Sequence, residues 1–174
     1  MDPAELGATL VEALAERGLT LALAESCTGG LVADTVTNVP GSSRVFVGGV
    51  VAYADAVKTR VLSVPAGALA QHGAVSAQVA VAMARGARRL LESDVALGIT
   101  GVAGPGGGTA AKPVGLVYLA VAGPWGDQCR RFHAGAERLT NKKEFAGEAL
   151  GLLLEYVRTN GNPEQREPQA GSPC

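Results

Sequence analysis

The sequence predicts an α/β fold, a three-layer α/β/α sandwich on a mixed, mostly parallel sheet. Three observations predict it. Short apolar runs of strand length alternate with patterns of helical period. Two late runs flank the turn Gly123-Pro124-Trp125-Gly126, as an antiparallel pair does. The composition, 24 glycines and 4% aromatics, suits helices packed tightly on a sheet through glycine-rich connections.

The elements follow in order. Leu6, Leu10, Val11 and Leu14 recur at helical spacing, and Gly18 ends that helix. Thr20 to Ala24 is a strand, then comes the turn Ser26-Cys27-Thr28-Gly29-Gly30 and a helix from about Gly30 to Thr37. Pro40 to Ser43 is a loop signal. Phe46 to Tyr53 reads as a buried strand, and Asp55 as the cap of a short helix that carries Lys58. Ser76 caps a helix whose face holds Val79, Met83, Gly86 and Leu90. Val95 to Thr100 is a buried strand running into the glycine loop Gly101 to Gly108. Val114 to Ala122 and Gln128 to His133 form the antiparallel pair, and Phe145, Ala149, Leu152, Leu153 and Tyr156 mark the last helix. One domain is expected over residues 1–158, with a disordered tail over 159–174, where apolar residues almost vanish.

Charge and cysteine usage exclude several classes. Fifteen basic residues against 16 acidic ones leave no footprint for nucleic acid. The apolar runs are too short to span a membrane, and MDPAEL has neither the basic flank nor the apolar core of a signal peptide. Cys27, Cys129 and Cys174 show no paired spacing, so no disulfide framework is expected and a cytoplasmic location is. His72 and His133 form no ligand pair, so no metal site is expected.

Two junctions carry the candidate chemistry. At the first, a serine between a strand and a helix N-terminus would have backbone N–H groups near a developing oxyanion. The same pattern also serves as a tight turn and cap, and Cys27 is an alternative nucleophile whose side chain would face the other way. With both histidines in unremarkable contexts, the base open to Ser26 is a lysine; Lys58 is the candidate, though it also reads as a solvated helix lysine. Tyr53 could relay a proton or orient it. At the second junction, five glycines in GVAGPGGG leave the backbone open to a phosphate, although neither the P-loop nor the dinucleotide fingerprint is present.

AESCTGG, VPGSSRVFVGGVVAYADAVK, QHGAVS and ITGVAGPGGG with KPVG, in that order, resemble the C-terminal domain of the CinA (competence- and damage-inducible) family, from about Thr20 to Tyr156. That domain also occurs as a stand-alone nicotinamide-nucleotide amidohydrolase. The resemblance implies hydrolysis of nicotinamide mononucleotide to nicotinic acid mononucleotide and ammonia, in pyridine nucleotide recycling, without metal or cofactor. It puts Ser26 in the nucleophile's place, Lys58 in the general base's and Tyr53 beside it. Thr28, Gly29 and Gly30 match the oxyanion turn. Thr100 and the loop glycines Gly101, Gly104, Gly106, Gly107 and Gly108 match the segment around the ribose phosphate. Homo-oligomers, dimers foremost, are implied as well. No activity of the family's large N-terminal domain is expected.

Two departures from the family pattern stand out. YADAVK replaces YSNEAK, so the carboxylate of Asp55 stands where an amide is usual, which weakens Lys58 as a base by favouring its charged form. GAERLTNK replaces GDRxxIR with one inserted residue, leaving Arg138 or Lys142 to supply the site's positive charge. A catalytically silent nucleotide-binding module of the same fold is the alternative function.

Overall fold

The computed structural model describes residues 2–135 and 137–160. Helix α1 (Pro3–Glu16) starts on a proline, whose missing N–H would lack an intrahelical partner there anyway, and buries Leu6, Leu10, Val11 and Leu14. Strand β1 (Leu21–Glu25) is buried along its whole length, and α2 (Leu31–Thr37) follows the Ser26 turn. A short 3-10 turn leads to β2 (Phe46–Val51), then to α3 (Asp55–Arg60), α4 (Ala66–His72) and α5 (Ala77–Leu90). Strand β3 (Val95–Gly101), the hairpin β4 (Leu116–Gly123) and β5 (Gly126–His133), and α6 (Arg138–Asn160) complete the chain.

The five strands lie in the order β2-β1-β3-β4-β5. β1 pairs in parallel with β2 and β3, whereas β3–β4 and β4–β5 are antiparallel. Four strands therefore run one way and β4 alone is reversed, a mixed sheet as expected. β1 and β3 are neighbours with diverging onward connections, β1 to α2 and β3 to a loop. Their carboxyl ends consequently open the kind of crevice in which α/β sheets bind ligands.

Strand alternation gives the sheet two unlike faces. Leu21, Leu23, Leu97, Ile99 and Leu119 point to a layer of α1, α2 and α6. Ala22, Ala24, Ala96, Ala120 and Ala122 point to the layer containing α5. The small face lets α5 approach closely: a Cβ on Gly98 would stand 2.2 Å from the Ala80 carbonyl oxygen. Near the sheet end that holds the β4–β5 turn, Trp125 and Tyr156 have ring centroids 5.4 Å apart, worth about 1 kcal/mol beyond burial. The Tyr156 hydroxyl donates to the Gly126 carbonyl at 2.8 Å and accepts the Trp125 N–H at 3.1 Å.

Several expectations need correction. β2 is an edge strand with alternate residues exposed rather than a buried one, because nothing pairs with its outer side in the five-stranded sheet. Ala54, not Asp55, holds the cap position of α3, and the Asp55 carboxylate turns instead to Lys58. Leu90 is 50% exposed at the end of α5, and α4 is an element the spacing did not predict. Thr159 and Asn160 still belong to α6; the rest of the expected tail lies outside the described residues. Cys27 is free and buried, but Cys129 is disulfide-bonded, since spacing along the chain does not report what β5 meets in space. Among the described residues no helix is long and apolar enough to cross a membrane, and no group of three His, Cys, Asp or Glu side chains could hold a metal ion.

Candidate active site

At the end of β1 the backbone is held on both sides. The Ser26 N–H donates to the Ile99 carbonyl of β3 at 3.1 Å, and Ala52 N–H donates to the Glu25 carbonyl at 2.7 Å from the β2 side. The chain then turns through Gly29 (φ +66) and Gly30 (φ +97), two left-handed residues in succession, which only glycine adopts without strain. The turn closes with Gly29 N–H on the Ser26 carbonyl at 3.1 Å.

Glu25 is the part of this junction that the sequence reading missed. It is 1% exposed, and its carboxylate reaches forward over the turn to the start of α2. Oε2 accepts from Gly30 N–H at 2.9 Å and Val32 N–H at 3.2 Å, and Oε1 from Ala33 N–H at 2.8 Å. A charged residue closing an otherwise apolar buried strand was the available signal, because a buried carboxylate needs donors.

This arrangement revises the oxyanion turn. The N–H groups of Gly29 and Gly30 are engaged inside the protein and do not point at a ligand. Thr28 is fully buried, and its Oγ1 has no hydrogen-bond partner. Positive charge reaches the turn from elsewhere: a Cβ on Gly29 would stand 3.5 Å from the Lys142 ammonium.

Ser26 and Cys27 lie past the end of β1, in the turn, and both are buried. Cys27 packs into the large-residue core, and burial pushes its thiol up to about 12. The nearby Glu25 carboxylate adds to that shift, while the N–H groups of Cys27 and Thr28 and the Lys142 charge oppose it. A thiol that holds its proton so firmly is a poor nucleophile.

Lys58 is no solvated lysine: it is 2% exposed. Its ammonium donates to Asp55 Oδ1 at 3.1 Å and to the Tyr53 carbonyl at 3.2 Å. Tyr53 thus orients Lys58 through its main chain rather than its ring, which is 60% exposed. Its hydroxyl instead accepts from Arg138 Nη2 at 3.0 Å.

Arg138 and Lys142 lie one helical turn apart on α6 and reach different parts of the junction. Arg138 Nη1 donates to the Gly104 carbonyl at 2.6 Å, and buried Asn141 donates from Nδ2 to the Ala103 carbonyl at 3.0 Å. These two hold the glycine loop, while Lys142 faces the Ser26 turn.

The loop glycines divide by role. Cβ atoms on Gly101, Gly104 and Gly108 would come within 2.6 Å of the Leu116 carbonyl, 2.5 Å of Val114 Cγ1 and 2.8 Å of the Val114 nitrogen. These three let the loop fold on its own chain. Gly106 has nothing within 4 Å of such an atom and Gly107 only Val102 Cγ1 at 3.9 Å, so these two are open to a ligand. Thr100 is buried, with Oγ1 donating to the Ala74 carbonyl at 2.8 Å, a tie between β3 and the start of the α5 layer. Lys112 fastens the far side of the loop by donating from Nζ to the His72 carbonyl.

Comparison with known proteins identifies the family of this fold. A family model described as the CinA C-terminal domain matches residues 4–157. A CinA-like protein of Anaeromyxobacter sp. (strain Fw109-5) is 56% identical over 156 residues, 88% of this chain and 38% of that protein. A putative competence-damage inducible protein of Desulforudis audaxviator is 58% identical over 149 residues, 86% of this chain and 36% of that one. The chain spans about 38% of the length of such curated relatives. The crystal structure of the competence/damage inducible protein CihA from Agrobacterium tumefaciens superposes with a TM-score of 0.87 at 38% identity, covering 91% of this chain and 96% of that one. The competence damage-inducible protein A (ComA) from Klebsiella pneumoniae gives a TM-score of 0.88 at 33% identity, with 91% and 98% covered.

Proposed function

The chain belongs to the CinA C-terminal domain family, and from that premise we propose that it hydrolyses the carboxamide of nicotinamide mononucleotide to nicotinic acid mononucleotide and ammonia. One observation carries the reading. The Ser26 turn at the end of β1 lies beside the Lys142 ammonium, Arg138 of the same helix holds the open glycine loop after β3, and Lys58 is buried on α3 behind the neighbouring strand β2.

In this mechanism Lys58 takes the Ser26 proton as Oγ bonds to the carboxamide carbon. The oxyanion that forms faces the Lys142 ammonium. The lysine returns the proton to the leaving nitrogen, the C–N bond breaks and ammonia departs. Water then adds to the acyl carbon, giving a proton to Lys58, and Ser26 Oγ leaves with that proton as the acid is released. Arg138 and the Gly106–Gly107 backbone hold the phosphate, whose binding energy positions an amide far from it. No metal or cofactor enters these steps. The reaction suits the cytoplasm, where pyridine nucleotides are recycled. The uncharged outer edge of β2, with Val47 and Val51 exposed, supports assembly as a homodimer.

A second reading rests on the Asp55–Lys58 ion pair. With its Nζ engaged by a carboxylate 3.1 Å away, Lys58 is not free to take the serine's proton, and the domain would then bind the mononucleotide without turning it over.

The test is ammonia release from nicotinamide mononucleotide by the wild type, Ser26→Ala and Cys27→Ala, with nucleotide binding measured by calorimetry. Loss of activity confined to Ser26→Ala, by about 10⁴-fold or more, is the expected result. Loss confined to Cys27→Ala overturns the serine mechanism. Binding by a folded but silent wild type favours the second reading.

A further inference from the structure

Resting on the amidohydrolase reading, we propose that Glu25 is the positioning residue of the nucleophile: it locks the turn that presents Ser26 by tying the end of β1 to the start of α2. Three features of the junction carry this. First, the carboxylate is buried to 1% exposure and has no side-chain cation among its described contacts; its described hydrogen-bond partners are three backbone N–H groups. Hydrogen bonds from N–H groups to a carboxylate are short and about twice as strong as neutral ones. Second, those groups belong to Gly30, Val32 and Ala33, so the side chain of the residue before Ser26 spans the turn to the residues after it. Ser26 sits inside a loop closed at both ends. Third, the Ser26 main chain has its own N–H on Ile99 and its carbonyl on Gly29 N–H. With the backbone fixed on either side, little beyond the Ser26 χ1 angle remains to decide where Oγ points.

The turn itself makes such a lock necessary. It contains two adjacent left-handed glycines, the most flexible residues available, and α2 has only seven residues with which to hold itself in place. Without Glu25 three helix-start N–H groups would lie in or near the core without a partner, and the turn would open to supply them with water. Glutamine has the same shape but presents one acceptor oxygen and one NH2 group. The NH2 would face an N–H that needs an acceptor, so Glu25→Gln unlocks the turn without removing volume.

The experiment compares Glu25→Gln with the wild type in steady-state kinetics on nicotinamide mononucleotide and in amide hydrogen exchange, with Val79→Ala on α5 as a destabilised control. Glu25→Gln is expected to lower kcat about 100-fold with KM within about twofold, as a nucleophile displaced by an ångström does. Exchange at Gly30, Val32 and Ala33 should rise about tenfold or more while the α5 amides keep their protection. A kcat within about threefold of wild type overturns the proposal. So does an equal loss of kcat in Val79→Ala at the same melting temperature, which would make the effect one of stability alone. Should the wild type release no ammonia, the amidohydrolase reading falls, and exchange decides the lock by itself: faster exchange confined to the three amides supports it, unchanged exchange overturns it.

Discussion

The two strand ends that frame the site are built on opposite plans. At the end of β1 the chain is closed. Glu25, Ser26, Cys27 and Thr28 are all buried, and the N–H groups of Gly29, Gly30, Val32 and Ala33 are occupied within the protein. At the end of β3 the chain is open. Residues 105–111 are exposed, and the loop is held at its borders by Arg138, Asn141 and Lys112. The difference teaches that glycine-rich junctions do not form one class. Gly29 and Gly30 serve a left-handed backbone turn after Ser26, whereas Gly106 and Gly107 leave open space beside the backbone; under the proposed function the first places the nucleophile and the second admits the phosphate. A nucleophile needs placement to within a fraction of an ångström, and a phosphate needs an accessible backbone and a cation.

If the two junctions divide the labour, α6 serves both, and its cations can be separated. Lys142→Ala should lower kcat by about 100-fold with KM little changed, because its ammonium stands over the Ser26 turn. Arg138→Ala should raise KM about tenfold or more and leave kcat near wild type, since the guanidinium lies on the Gly104 carbonyl and the Tyr53 hydroxyl. Steady-state kinetics on the two variants checks this, and a shared pattern would erase the distinction.

A finer comparison lies within the open loop. Gly104 has φ +89, and a Cβ there would meet Val114 Cγ1 at 2.5 Å, so Gly104→Ala should cost about 1–3 kcal/mol and weaken nucleotide binding. Gly106→Ala has open space around it and should change stability by less than about 0.5 kcal/mol. Denaturant melts of both variants give the answer.

The smallest effect belongs to the closed junction. Its folded-state thiol is raised from an ordinary 9.0 to about 12, so Cys27 should resist iodoacetamide at pH 8 while the protein is folded. A raised folded value gives stability that is complete below pH 9.0 and is lost as pH rises through about 12, because only the unfolded chain ionises in that window. Mass analysis after alkylation and melts across this range test both statements; rapid labelling of Cys27 in the folded state would mean that the junction is open after all.

Much of the layout was legible because period and punctuation are local properties. β1, α5, β3 and the hairpin follow from apolar runs bounded by Gly18, Ser76, Gly101 and Gly123. The turn at Ser26 and the glycine loop, as places in the fold, were legible for the same reason. What escaped depends on contacts between distant residues. Whether Phe46–Val51 is central or at an edge depends on strand order, which periodicity does not encode. Asp55 looks like a cap in sequence, but Lys58 offers it a buried cation in space. Glu25 was overlooked because its partners begin five residues on, around two left-handed glycines. The different contacts of Arg138 and Lys142 needed the α6 axis to be known, since one turn of helix separates the residue on the loop from the one beside the Ser26 turn.

Trp125 has a practical consequence. It is the chain's sole tryptophan, tilted against Tyr156 at the end of the sheet opposite Ser26. Its emission therefore watches the seating of the last turns of α6 and ignores chemistry at the other end. Since about 27 Å of α6 separates the Arg138 contacts from this ring pair, a fluorescence change on adding nucleotide would signal that the whole helix has shifted as a rod. Constant fluorescence would mean that the ligand is received by a helix that stays where it is.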